Sequence, residues 1–198
     1  MKNGMIAMAL AMEEIADGQT HIEDEHVFYA RIESMDLLAK LAEGFEDQEQ
    51  YEMKSFGTAK SLEPIASFRV RKTLISAHVQ FALTLKIKQP GTTARSETTV
   101  DVPEDFFNQF KSVAYRGMNK RRYFLSVPGR PEKWEIDVFG MGDGKYANWV
   151  KVDFEFAEGQ PRELPPIPDI FQDVIHGNTE NGDEQAFVRS LYEDVFMK

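Results

Sequence analysis

Three runs in the second half of the chain alternate between charged and apolar residues: KRRYFL over 120–125, WEIDVF over 134–139 and KVDFEF over 151–156. Successive side chains of a strand leave opposite faces. Lys120 and Arg122, Glu135 and Asp137, and Lys151, Asp153 and Glu155 therefore gather on one face. Tyr123 and Leu125, Trp134, Ile136 and Val138, and Val152, Phe154 and Phe156 gather on the other. Each run is predicted to be a strand with one charged and one apolar face.

The same period marks residues 79–88, with Val79, Phe81, Leu83, Leu85 and Ile87 on one side. Residues 95–102 set Arg95, Glu97, Thr99 and Asp101 against Thr98, Val100 and Val102, and 68–71 put Arg69 and Arg71 on one face. Residues 25–32 have the β-branched and aromatic content of a further strand.

Helical spacing governs four other segments. Met5, Met8, Met12 and Ile15 recur within 4–17. Leu37, Leu38 and Leu41 follow Ser34 and are ended by Gly44, and Phe106, Phe107 and Phe110 follow Pro103-Glu104-Asp105. Phe187, Leu191 and Val195 share a side within 183–196. Residues 46–60 are acidic and polar, with strand character around 51–56, and 164–168 read as an extended crossing. The glycine-rich stretch 140–144 lacks the lysine and hydroxyl of a phosphate loop and reads as a hairpin loop.

The pattern predicts an α+β fold of seven or eight strands and three or four amphipathic helices. If the charged faces turn inward, the sheet closes into an antiparallel β-barrel, a tunnel with a polar interior and flanking helices. Residues 1–20 form an N-terminal helical extension, and 21–198 the barrel domain with its C-terminal helix.

Composition narrows the partners. A net charge of -10 and a pI of about 4.9 exclude a general affinity for nucleic acid or anionic membrane, so any anion site must be a local concentration of base. The absence of cysteine removes disulfides, thiolate metal sites and cysteine nucleophiles. No apolar run approaches the roughly 20 residues that span a bilayer. Glu13 and Glu14 stand where a signal-peptide cleavage site would need small residues, so a cytoplasmic protein is expected. The methionine stripe is a packing face or a contact for a second subunit, which allows a homodimer. His21, His26, His78 and His176 share no ligand spacing and read as surface or turn residues. Glu49 and Glu52 read as solvated.

An exposed antiparallel sheet would produce the same alternation. Composition argues otherwise, because runs of Arg and Lys are followed by Glu/Asp pairs at two-residue spacing. Guanidinium and ammonium groups facing carboxylates suit a site that holds phosphate together with a hard divalent ion.

The ordered series Arg69-x-Arg71, Leu83-Thr84-x-Lys86, Arg95-x-Glu97, Lys120-x-Arg122-Tyr123, Trp134-Glu135-Ile136-Asp137-Val138-Phe139 and Asp153-x-Glu155 resembles the CYTH superfamily, the triphosphate tunnel metalloenzymes, over about residues 25–155. That group includes class IV adenylyl cyclases, thiamine triphosphatases and inorganic or RNA triphosphatases. The resemblance implies a triphosphate-containing small molecule bound by Arg69, Arg71, Lys86, Arg95, Lys120 and Arg122. It assigns Mg²⁺ or Mn²⁺ to Glu25, Glu135, Asp137, Asp153 and Glu155.

The first strand departs from the family's Glu-x-Glu-x-Lys. Here Glu25-His26-Val27-Phe28-Tyr29 has Val27 for a metal-binding glutamate and Tyr29 for the lysine. Losing a carboxylate lowers the expected metal affinity and turnover. The family's Thr and Tyr-Ser-Asn pattern after the last barrel strand is also missing. The sequence therefore leaves four readings open: a metal-dependent triphosphatase, a catalytically impaired binder of a nucleotide or polyphosphate, a class IV adenylyl cyclase, and an interaction protein that retains the scaffold.

Overall fold

The computed structural model describes residue 15 and residues 18–53, 66–88, 95–139, 148–157 and 162–196. The Met5, Met8 and Met12 stripe and the stretch 140–144 lie outside the described residues. Those described form β1 (Gln19–Glu23), β2 (Glu25–Ile32), α1 (Met35–Leu41), β3 (Gly44–Glu52), β4 (Ala66–Ile75), β5 (His78–Lys88), β6 (Arg95–Asp101), α2 (Glu104–Val113), β7 (Arg116–Ser126), β8 (Lys133–Phe139), β9 (Trp149–Glu155), β10 (Phe171–His176) and α3 (Gly182–Phe196). The antiparallel α+β class follows from the sequence pattern. No helix among the described residues is long and apolar enough to cross a membrane.

The chain packs as two compact units, one of Met1–Asp24 and Gln48–Met118, the other of Glu25–Asp47 and Asn119–Lys198. In the first the strand order is β1-β6-β5-β4-β3, with residues 48–52 of β3. The β1/β6, β6/β5 and β5/β4 pairs are antiparallel. Its core joins Phe68, Val70 and Leu83 of the sheet to Phe107 and Phe110 of α2. Those phenylalanines lie three apart in sequence and so share a helix face.

In the second unit the order is β3-β7-β8-β9-β2-β10, with residues 44–47 of β3, and the register-defined pairs are again antiparallel. Trp134, Phe28 and Phe154 form an edge-packed aromatic centre, with Trp134 4.8 Å from Phe154 and 5.6 Å from Phe28 between ring centroids. All three are fully buried, and each such side chain contributes about 1.5–3 kcal/mol.

Several expectations need correction. Among the described residues β1 pairs with β6 alone and β10 with β2 alone, so the strand pairing does not close the predicted barrel. A period of two fixes which face of a strand is covered, not which strands meet. Helix α1 ends at Leu41 with Ala42 as its cap, and Gly44 opens β3 instead of ending the helix. Of its three leucines Leu38 is buried, while Leu37 and Leu41 are exposed. Strand β3 starts at Gly44, ahead of the strand character expected around 51–56, and its covered positions in the polar stretch are Gln48 and Gln50, at 2% and 4% exposure. Buried amides conceal a strand from any apolar periodicity. Strand β10 is concealed by a register shift between Gln172 and Ile175, where Asp173 takes φ 50°.

Candidate functional site

Several positions of the charged faces are covered. Asp137, Asp153 and Lys120 in the second unit, and Thr84 and Glu97 in the first, are all below 10% exposure. An ordinary solvated sheet face is thereby excluded for these positions.

In the second unit β7, β8 and β9 bring a cluster together by register. Arg122 lies opposite Asp137, which lies opposite Lys151; in the next row Glu135 lies opposite Asp153. The Arg122 guanidinium donates through Nε and Nη2 to the two Asp137 oxygens at 2.6 and 2.9 Å, donates through Nη1 to Glu135, and reaches Asp153 at 3.4 Å. Lys120 Nζ donates to Asp137 at 2.5 Å, and Lys151 Nζ holds both Asp153 oxygens at 2.5 and 2.6 Å. Three cations thus meet three carboxylates.

Burial and charge compete at each group. Burial pushes the Lys120 ammonium down to about 7 despite Asp137 beside it. Burial also raises Glu135, against the pull of Arg122. At Asp137 burial opposes ionisation, yet Lys120 and Arg122 outweigh it and hold the carboxyl well below its ordinary range. A buried pair adds little net stability, but removing one member costs about 3–5 kcal/mol. Stability alone does not account for so many buried charges, which is why such clusters point to function.

The register also places the divergent first strand. Val27 lies opposite Asp153, in the row of Glu135, and Tyr29 lies opposite Lys151. Lys151, outside the set that the resemblance implies, therefore supplies an ammonium beside the position where β2 carries Tyr29. Glu25 and Glu155 face each other one step along β2 and β9, where Glu155 is exposed. The donor set assigned to Mg²⁺ or Mn²⁺ is Glu25, Glu135, Asp137, Asp153 and Glu155. Its three innermost members are already bonded to Lys120, Arg122 and Lys151. Among the described residues no group of three or more His, Cys, Asp or Glu is arranged to hold a metal ion. As arranged, the set does not fit a hard divalent cation, which requires several free oxygen ligands.

The first unit builds a different cluster. Arg69 of β4 lies opposite Thr84 of β5, itself opposite Thr99 of β6; in the adjoining row Lys86 lies opposite Glu97. Lys86 Nζ holds Glu97 at 2.7 Å, whereas Arg69 Nη2 approaches the same carboxylate at 3.5 Å, the outer limit of a hydrogen bond. Thr84 and Thr99 share a hydroxyl contact of 3.1 Å, and Thr99 donates to Glu97 at 3.2 Å. Arg69 Nε is buried and meets no acceptor. Arg71 lies one row on, opposite Ala82, and Arg95 begins β6 at an exposed position opposite Lys88.

Other charged residues find structural roles. Glu49 accepts from Tyr51 at 2.7 Å and from Lys111 at 2.5 Å, and Glu52 is held by Arg116, so neither is freely solvated. His26 and His176 lie 150 positions apart, yet their rings are hydrogen-bonded at 3.0 Å. No local spacing signals that pair.

The sequence matches no protein-family model and no curated protein. Solved structures that resemble the chain include the hypothetical protein NE1496, at 16% identity and TM-score 0.45 over 83% of this chain and 96% of that one. The PH1819 protein from Pyrococcus horikoshii OT3 has 14% identity and TM-score 0.46 over 69% and 80%. A "putative adenylate cyclase (bh2851)" from Bacillus halodurans has 13% identity and TM-score 0.43 over 89% and 90%. At such scores the chemical reading rests on the residues themselves.

Proposed function

We propose that the protein binds a triphosphate-bearing small molecule, as a relative of the CYTH proteins that its motif series resembles. The observation that carries this reading is the buried Arg69 Nε, which meets no acceptor in a cluster where Arg69 and Lys86 share the Glu97 carboxylate. A buried donor without an acceptor costs about 1–3 kcal/mol. A phosphate oxygen would supply the acceptor, and the Lys86 ammonium with the Thr84 and Thr99 hydroxyls would add further donors. Arg71 and Arg95 extend the positive charge along the same faces. In the second unit Lys120 and Arg122 are the proposed phosphate ligands, and Lys151 joins them.

Binding is the reading that the geometry supports best. Hydrolysis or cyclisation with Mg²⁺ or Mn²⁺ is a separate proposition, which product analysis decides. Calorimetry with tripolyphosphate and with ATP, first without and then with Mg²⁺ or Mn²⁺, tests both. Binding without metal is expected, weakened roughly tenfold or more by Arg69→Ala, in keeping with the loss of a charged hydrogen bond. No heat from any phosphate compound would sink the binding reading. Release of orthophosphate would make the protein a triphosphatase, and cyclic AMP with pyrophosphate would make it a cyclase.

A further inference from the structure

Alternation places one more polar group on the face that carries Arg69. Met53 N donates to Phe68 O at 3.1 Å, so the end of β3 lies beside the start of β4. Tyr51 and Met53 pack into the core of the first unit with Phe68 and Val70. Gln50 and Glu52, the alternate residues of β3, therefore share the opposite face with Arg69.

Gln50 is buried, and the direction of its amide is fixed. Its Nε2 donates to Glu52 Oε1 at 2.9 Å, and the other Glu52 oxygen is taken by the Arg116 guanidinium, with Nε at 2.8 Å. An exchanged amide would set two acceptor oxygens against each other. Gln50 Oε1 therefore stands as a buried acceptor, and it meets no donor among the described residues. Phosphate cannot meet that need, because an ionised phosphate chain accepts hydrogen bonds and has none to give. The complementary group is an N–H or O–H on the organic part of the ligand. A nucleoside supplies both, with hydroxyls on the sugar next to the phosphates and N–H groups on the base. We propose that Gln50 accepts a hydrogen bond from the sugar or base of a nucleoside triphosphate whose phosphates lie on Arg69 and Lys86, so that the site prefers such a ligand to inorganic tripolyphosphate. This assignment rests on the phosphate-binding reading.

Calorimetry on the full chain without metal compares ATP with tripolyphosphate. ATP is expected to bind roughly tenfold tighter or more, the gain from one satisfied buried acceptor. Gln50→Met, which keeps the side-chain length and removes the acceptor, should erase that preference, whereas Arg69→Ala should weaken both ligands. Two analogues locate the donor in the wild-type protein: 2′,3′-dideoxy-ATP lacks the sugar hydroxyls and purine riboside triphosphate lacks the amino group, and one of them should lose the preference. Circular dichroism checks the fold of Gln50→Met, and the analogues carry the test if that variant fails. Equal binding of ATP and tripolyphosphate, both analogues matching ATP, or a preference that survives in folded Gln50→Met overturns the assignment and leaves the phosphate site standing. Binding of neither ATP nor tripolyphosphate sinks the phosphate reading and this assignment with it.

Discussion

The two charged clusters sit on similar antiparallel strands yet are balanced differently. In the second unit Lys120, Arg122 and Lys151 meet Glu135, Asp137 and Asp153, and Arg122 alone reaches all three carboxylates. In the first unit Arg69 and Lys86 share Glu97, and the Arg69 contact is long. A balanced network resists loss of a member because each charge is solvated by the others. An under-compensated arginine depends less on its neighbours and is better placed to take an incoming anion. The comparison teaches that the same residue types serve different ends according to how many acceptors the register places beside them.

The largest expected effect tests that contrast directly. Arg122→Ala leaves Glu135, Asp137 and Asp153 short of a cation and should cost about 3–5 kcal/mol in denaturant unfolding. Arg69→Ala should cost clearly less, because its contact with Glu97 is long and Lys86 still holds that carboxylate, while weakening phosphate binding. Equal losses in the two variants would break the comparison.

A smaller effect comes from Val27→Glu, which sets a carboxylate opposite Asp153 in the row of Glu135. Without metal it should destabilise by about 1–3 kcal/mol. Mg²⁺ or Mn²⁺ should then raise the unfolding midpoint of this variant more than that of wild type. An equal metal response in both would show that the first strand does not limit metal binding.

The smallest effect concerns a pair in the second unit outside the Arg122 cluster. Arg130 holds Glu132 through Nε and Nη2 at 3.1 and 2.9 Å, and these bonds lower the Glu132 carboxyl to about 2. A depressed carboxyl contributes stability above its ordinary value near 4.5 and loses it as pH falls toward about 2. Glu132→Gln should flatten that part of the acid-unfolding curve and cost less at neutral pH than Arg122→Ala. An acid curve unchanged by the substitution would count against the pairing.

Much of this was legible in the sequence where burial followed apolar spacing. Strands β5, β7, β8 and β9 show in the alternation, although Val79 and Ile87 of the apolar face of β5 are exposed and Thr84 of its polar face is buried, and Phe107 and Phe110 mark the packed face of α2. Strand β3 was legible only at its end, around 51–52, because Gln48 and Gln50 occupy covered positions, and β10 was not legible because its register shifts at Asp173. Within the site, Arg122, Glu135, Asp137 and Asp153 could be read from alternation, which tells which side chains share a face of one strand. Lys151 shares that face of β9 by the same alternation, but its place opposite Asp137 depends on the register of β9 with β8.

The sequence by itself determined the α+β class, the charged and apolar faces, and the residue types gathered on each. Tertiary structure decided that Asp137, Asp153, Lys120 and Glu97 on the charged faces are covered and that Arg122 bridges three carboxylates while Arg69 Nε meets no acceptor. It also decided that two histidines 150 positions apart touch. The physical reason is one of range. Alternation follows from the geometry of a single strand, whereas pairing, register and burial depend on which distant strands share hydrogen bonds.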